Sequence, residues 1–365
     1  MGSEWVLYMT HDIRALSIYL GREAARRIDN EGWSPDLFSL LLGASGGPKW
    51  FILGHLDRLL FGDFLQRSQH PLSVLGSSIG SWRHACLAMP DPVAAIDRLE
   101  AGYLHQHYAT KPTAAEISEV SLGILQHVLG ENGASTLANH PRIQSHIVTA
   151  RGRGPAAASS TPLLASGMGA AALGNALSRQ LLSHLFQRVV FHSGRQPNPG
   201  LALHDFDTRF CGLQDENVCA SLHASGAIPF LLTGERDIVG APPGQYWDGG
   251  IIDYHFDLGQ YRGEGLILYP HFSASVVPGW FDKFLPWRKA AIDDVDKLVL
   301  LCPGQEFTAG LPLGKIPDRS DFSRLEHAER VRYWEQCVER SKVLAEEMAE
   351  VLMASDPLRW ATVLP

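Results

Sequence analysis

Basic residues are the minority in this chain: 31 Lys and Arg face 39 Asp and Glu among 365 residues, a formal net charge of −8, and no basic run longer than a pair occurs. Nucleic-acid binding relies on clustered cations that release counterions from phosphates, so DNA and RNA are excluded as expected partners. Cysteine is scarce too. Cys86, Cys211, Cys219, Cys302 and Cys337 form an odd set of five without paired short spacings. Neither a disulfide framework nor a zinc site fits that pattern, whereas a reducing compartment does, and a cytoplasmic location is expected. The 16 histidines are scattered and no H-E-x-x-H spacing appears, so no metal and no cofactor is expected.

Long apolar runs are missing as well. The longest uncharged stretch, residues 154–178, is rich in Gly, Ala, Ser and Thr and is interrupted by Pro155 and Pro162, which excludes a spanning helix. Glu4, His11 and Asp12 break up the order of a secretory signal, and Val6 stands where a myristoylation pattern needs Ser or Thr. The expected chain is soluble or peripheral to a membrane.

What is present is material for a large core, with 45% apolar, 19% charged and 9% aromatic residues. The length fits a single α/β domain over 1–365, with its motifs between about 37 and 255 and an unassigned extension at about 266–365. Short Leu-, Ile- and Val-rich runs at 37–42, 72–75, 143–149, 188–192, 266–269 and 298–302 read as buried strands. Helical patterns alternate with them, beginning at about 50–61, which implies a sheet covered by helices on both faces. A segment at 321–353 carries acid–base pairs such as Glu326 with Arg330 and reads as one long C-terminal helix.

Gly76-Ser77-Ser78-Ile79-Gly80 is a G-x-S-x-G pattern directly after a strand-like run and before a helix-like one. The letters alone arise by chance in roughly one such chain in four, and a serine-capped glycine turn carries them equally well. The strand–turn–helix context is what a nucleophile elbow requires: a strained turn presents Ser78, and the elbow glycines Gly76 and Gly80 let backbone approach.

A second strand, glycine turn and helix start precedes it at Gly43-Ala44-Ser45-Gly46-Gly47-Pro48-Lys49. Pro48 stands where a Walker A loop needs glycine, removing an N–H and fixing φ, so a nucleotide phosphate loop is excluded. What remains is a glycine-lined corner whose amides face the space beyond the strand end. Two such units in succession place both turns at the carboxyl ends of adjacent parallel strands, where open α/β sheets bind ligands.

A hydroxyl nucleophile needs a base, and Asp248-Gly249-Gly250 presents an acid in a glycine-flanked loop, although Asp-Gly is also an ordinary turn device. Ala224-Ser225-Gly226-Ala227-Ile228-Pro229 upstream is a small-residue helix ending at proline.

In this order and spacing, Gly46-Gly47 with Lys49, the Ser78 elbow, Ala224-Ser225 with Ala227 and Pro229, and Asp248-Gly249-Gly250 resemble the patatin-like phospholipase family. The resemblance covers about 37–253. It implies a three-layer α/β/α fold with a central mostly parallel sheet, and a lipid acyl hydrolase of the phospholipase A or lysophospholipase kind with a Ser–Asp dyad. Under it Ser78 is the nucleophile, Asp248 the base, the amides of Gly46 and Gly47 the oxyanion hole, and Lys49 the basic residue closing the loop. The family opens that loop with Asp and three glycines; here Ala44 and Ser45 take the first two places.

Two other readings compete. One is an α/β-hydrolase triad in which His255, His271 or His327 serves as base. The other is a non-catalytic relative that binds lipid or a protein. Finally, the proline-bounded loop 276–289 combines Trp280, Phe281, Phe284 and Trp287 with Lys283, Arg288 and Lys289. That makeup suits peripheral contact with a bilayer interface, and it equally suits aromatics that cover a core.

Overall fold

Strands covered on both faces must be apolar on both faces, and the continuous Leu, Ile and Val runs are where the sheet forms. The computed structural model describes residues 14–108, 111–194, 199–256, 258, 261–285 and 295–365. Among these are β1 (Leu16–Leu20), β2 (Phe38–Gly43), β3 (Leu72–Ser77), β4 (Ile143–Gly152), β5 (Phe186–His192), β6 (Thr208–Gly212), β7 (Glu235–Arg236), β8 (Gln245–Asp248), β9 (Leu266–Pro270), β10 (Leu298–Pro303) and β11 (Ala361–Val363). They make one sheet in the order β11-β1-β10-β9-β2-β3-β4-β5-β6, with β8 paired to β4 and β7 to β8. The run β10-β9-β2-β3-β4 is parallel throughout, while β1 against β10, β5 against β4 and the β7–β8 pair are antiparallel.

The helices are α1 (Arg22–Glu31), α2 (Gly54–Gly62), α3 (Ile79–Leu87), α4 (Pro92–Leu104), α5 (Ala114–Leu129), α6 (Gly133–Ala138), α7 (Thr161–Leu177), α8 (Asp215–Gly226), α9 (Gln305–Ala309), α10 (Asp321–Arg324), α11 (His327–Arg340) and α12 (Lys342–Met353). They flank the sheet in a three-layer α/β/α arrangement. Helix α3 lies against β2, β3 and β4, α4 packs on α2 and α3, and α8 covers β4 and β8. A second apolar cluster, built from Ala150, Leu164, Met168, Phe186, Trp247 and Ile252, ties α7 to the far ends of β4 and β8. Among the described residues no helix is long and apolar enough to cross a membrane.

The segment 321–353 departs from the single helix expected of it and forms α10, α11 and α12. Leu325 and Glu326 take extended backbone between the first two. Asp321 accepts the indole N–H of Trp334 at 3.0 Å, although in one continuous helix those residues would stand about 20 Å apart along the axis. At the second break the Ser341 hydroxyl donates to the Val338 carbonyl at 2.7 Å, a local bond that competes with helix continuation. The 50–61 helix also begins differently, as a 3-10 turn over Gly47–Leu53 that leads into α2.

Candidate active site

Strand β3 ends at Ser77 and α3 begins at Ile79, so Ser78 alone makes the corner, at φ 55° and ψ −131°. A non-glycine residue pays about 1–3 kcal/mol for such a conformation and holds it only where its surroundings over-determine it. The glycines do that. A Cβ on Gly76 would sit 2.6 Å from the Ser81 nitrogen, and one on Gly80 only 2.0 Å from the Gly43 carbonyl oxygen. The two strand–glycine–helix turns are therefore pressed backbone to backbone.

The Ser78 amide donates to Ser225 Oγ at 2.9 Å, and Ser225 in turn donates to the Val148 carbonyl at 2.7 Å. Ser225 is fully buried. The small-residue helix α8 thus holds the elbow from beneath, a role that its sequence, taken by itself, does not announce.

Ser78 Oγ donates to Asp248 Oδ2 at 2.8 Å, and each residue is 6% exposed. Strand β4 brings them together. Its partner β3 ends with Ser77 opposite Val148, and its partner β8, running the other way, ends with Asp248 opposite Thr149. Two strands therefore meet head to head on the same edge of β4, and the residues at their tips meet with them. Asp248 ends a strand rather than sitting within a free loop. The next glycine is obligatory because a Cβ on Gly249 would fall 2.3 Å from the Val148 carbonyl oxygen and 2.8 Å from Ser77 Oγ. The Gly250 amide donates to the second carboxylate oxygen, Asp248 Oδ1, at 2.7 Å.

Burial raises the Asp248 pKa above the ordinary carboxylate range; the Ser78 hydroxyl, the Gly250 amide, Arg319 and Lys283 oppose that rise. Five residues on, Asp253 is clamped by Arg188 through bonds of 2.6 and 2.7 Å, with both groups buried. Arg179 adds a 2.7 Å bond to the Ile252 carbonyl. Sequence reasoning missed this clamp. The second Asp of the D-G-G-I-I-D stretch was its one visible trace, because Arg188 belongs to a different strand.

The earlier turn is fastened to both. Ser45 N–H donates to the Tyr254 carbonyl at 3.0 Å, and Ser45 Oγ donates to Ser77 Oγ at 3.0 Å. Ser45, one of the two departures from the family pattern, is therefore the pin between the three loops; Ala44 is simply buried. A Cβ on Gly46 would reach within 2.6 Å of the Phe272 ring, and Gly47 has φ 55°. The amides of Gly46 and Gly47 find no acceptor among the described residues. Lys49 places its Nζ 4.9 Å from the centre of the Phe272 ring, and burial lowers its pKa.

None of the three histidines that a triad would use bonds Ser78 among the described residues. His255 is buried and its Nδ1 accepts the Val277 amide at 2.7 Å. His271 packs against it at 4.3 Å between ring centres, and burial lowers the pKa of both. His327, at the start of α11, packs edge-on against His107. In the aromatic loop, Phe281 is buried and Trp280 packs beside it on the second apolar cluster. Trp287, Arg288 and Lys289 lie outside the described residues.

No protein-family model matches this chain, and no curated protein matches it either. Among solved structures, VipD from Legionella pneumophila is similar at 13% identity and a TM-score of 0.35, over 99% of this chain and 77% of that one. The likeness is too distant to carry any residue's role across.

Proposed function

We propose that this chain is a serine acyl-ester hydrolase acting on lipid esters of the phospholipase A or lysophospholipase kind. A single observation carries the reading: a serine held in strained backbone at a strand–helix corner, with its hydroxyl 2.8 Å from a buried carboxylate that forms no salt bridge among the described residues. Strain and a buried acid without an ion-pair partner both cost stability, and sites of chemistry are where such costs persist.

In this mechanism Ser78 Oγ attacks the ester carbonyl carbon as its proton passes to Asp248 Oδ2. The carbonyl oxygen becomes an oxyanion, which the amides of Gly46 and Gly47 stabilise. Collapse of the tetrahedral intermediate expels the alcohol, which takes the proton from Asp248 and leaves an acyl-Ser78 ester. Water then repeats the sequence: Asp248 removes its proton, the hydroxyl adds to the acyl carbon, and the acid departs as Ser78 recovers its hydrogen. A carboxylate with an ordinary pKa is a weak base for a hydroxyl, and burial moves Asp248 in the useful direction. The Gly250 amide and the Asp253–Arg188 clamp keep it aimed at Ser78.

The test is covalent labelling. A fluorophosphonate mimics the tetrahedral intermediate and traps an activated serine beside amide donors. Labelling should map to Ser78 and disappear in Ser78→Ala; labelling that persists in the variant refutes the assignment.

A further inference from the structure

An acidic chain gathers three cations around one side of the site. Arg319 brings its guanidinium to 3.5 Å from the point a Cβ on Gly47 would occupy. Lys283 sets its ammonium 3.4 Å from the centre of the Tyr254 ring, the residue whose carbonyl holds Ser45. Lys49 lies over Phe272, whose ring is against Gly46. All three therefore border the turn at 45–47, although they come from three distant stretches of chain. None of them takes a carboxylate partner among the described residues. Asp318, adjacent to Arg319, is engaged by Lys315 at 2.8 Å and acts on Lys49 through its charge without forming a salt bridge to it. Lys283 and Arg319 are exposed and so open to a ligand, and both also act on the Asp248 carboxyl a short way off.

We propose that Lys49, Lys283 and Arg319 form a subsite for a phosphate group next to the ester-cleaving serine. A guanidinium fork and two ammonium groups supply donors to several oxygens of one tetrahedral anion, while Tyr254 and Phe272 give the subsite apolar walls. Repulsion among the cations accords with this: Lys283 is exposed as a residue, but desolvation of its ammonium beside Tyr254, followed by the charges of Lys49 and Arg319, lowers its pKa to about 7. This subsite rests on the acyl-hydrolase reading and sharpens it, since it selects esters whose alcohol carries phosphate.

The experiment measures binding by titration calorimetry in the Ser78→Ala chain, where turnover plays no part. Two probes with one acyl chain are compared, 1-acylglycerol phosphate and 1-monoacylglycerol. The phosphate should bind at least tenfold tighter, and Lys283→Ala with Arg319→Ala should bring the two within twofold. Lys283→Arg with Arg319→Lys, which keeps both charges, should restore the preference, with circular dichroism confirming that each variant is folded. Displacement of the lipid by millimolar inorganic phosphate supports a site for the phosphate itself; no displacement with the preference intact supports a headgroup held through its acyl chain. Equal affinities, or a preference that survives the double alanine variant, overturn the subsite. Failure of fluorophosphonate to label the Ser78-bearing chain would instead sink the hydrolase reading, so the two failures are distinct.

Discussion

The molecule contains two strand–glycine–helix turns side by side, and each has one residue at φ 55°: Gly47 in the first, Ser78 in the second. Glycine reaches that region at almost no steric cost, whereas serine pays for it. The first turn is thus a relaxed loop with backbone amides to offer, and the second is a strained one that presents a side chain. The contrast separates two jobs: a donor surface needs a conformation any glycine adopts, but a nucleophile must keep its Cβ and accept the strain. Packing enforces both, because Gly80 leaves no space beyond the Gly43 carbonyl.

Substitutions can break this comparison. The largest effect belongs to Ser78→Ala, which keeps the strained corner but removes the hydroxyl; ester hydrolysis should fall about 10³-fold or more. Activity within tenfold of the parent would mean that the strain serves something else.

Asp248→Asn should follow, with turnover falling by about 10²–10⁴ because an amide cannot take the proton. The pKa of Asp248 adds a second readout of opposite sign. Its folded-state value is raised, so the fold favours the protonated form, and the wild type loses that contribution as pH rises through the raised pKa. Thermal unfolding of Asp248→Asn should therefore match or exceed the wild type near neutral pH, with the gap closing on acidification. A less stable Asp248→Asn at pH 7 contradicts the cause assigned to the shift. Activity should likewise fall as acid protonates Asp248, while His255→Ala, His271→Ala and His327→Ala should each retain turnover if folded.

Gly80→Ala tests the pressed backbones rather than the chemistry. A methyl 2.0 Å from a backbone oxygen must move one turn off the other, and about 2–3 kcal/mol of stability should be lost in chemical denaturation. A neutral result would show that the two turns slide freely.

The smallest effect sharpens the contrast most. Ser78→Gly should be more stable than Ser78→Ala by about 1 kcal/mol, since glycine relieves the strain and offsets its own entropy cost. Gly47→Ala should lose about the same amount. Equal stability of the two Ser78 variants in a denaturant series would remove the argument that strain is stored at the elbow.

The motifs between 37 and 253 were legible because their reasons are local. G-x-S-x-G, the glycines after Asp248 and the proline after Ala227 record close backbone approaches and turns within a few residues, and the apolar runs record burial on both faces. Strands β1, β6 and β8 escaped notice since none is a long apolar run: LSIYL and TRFCG mix polar residues, and QYWD becomes a strand only by pairing with β4. Residues 266–365 matched no motif, yet β9 and β10 stand between β1 and β2 in the sheet, and Lys283 and Arg319 reach the site from there.

By itself the sequence determined the α/β class, the two glycine turns on adjacent parallel strands, and the residue types able to do the chemistry, because periodicity, glycine and proline act over a handful of residues. Only the tertiary structure decided that Asp248, and none of His255, His271 and His327, meets Ser78, that Ser225 holds the elbow amide, that Arg188 clamps Asp253, and that three cations face the turn at 45–47. The three hydrogen-bonded pairings span from 65 to 170 residues of chain, and at such distances proximity is set by strand order and register on β4 rather than by any neighbour in sequence.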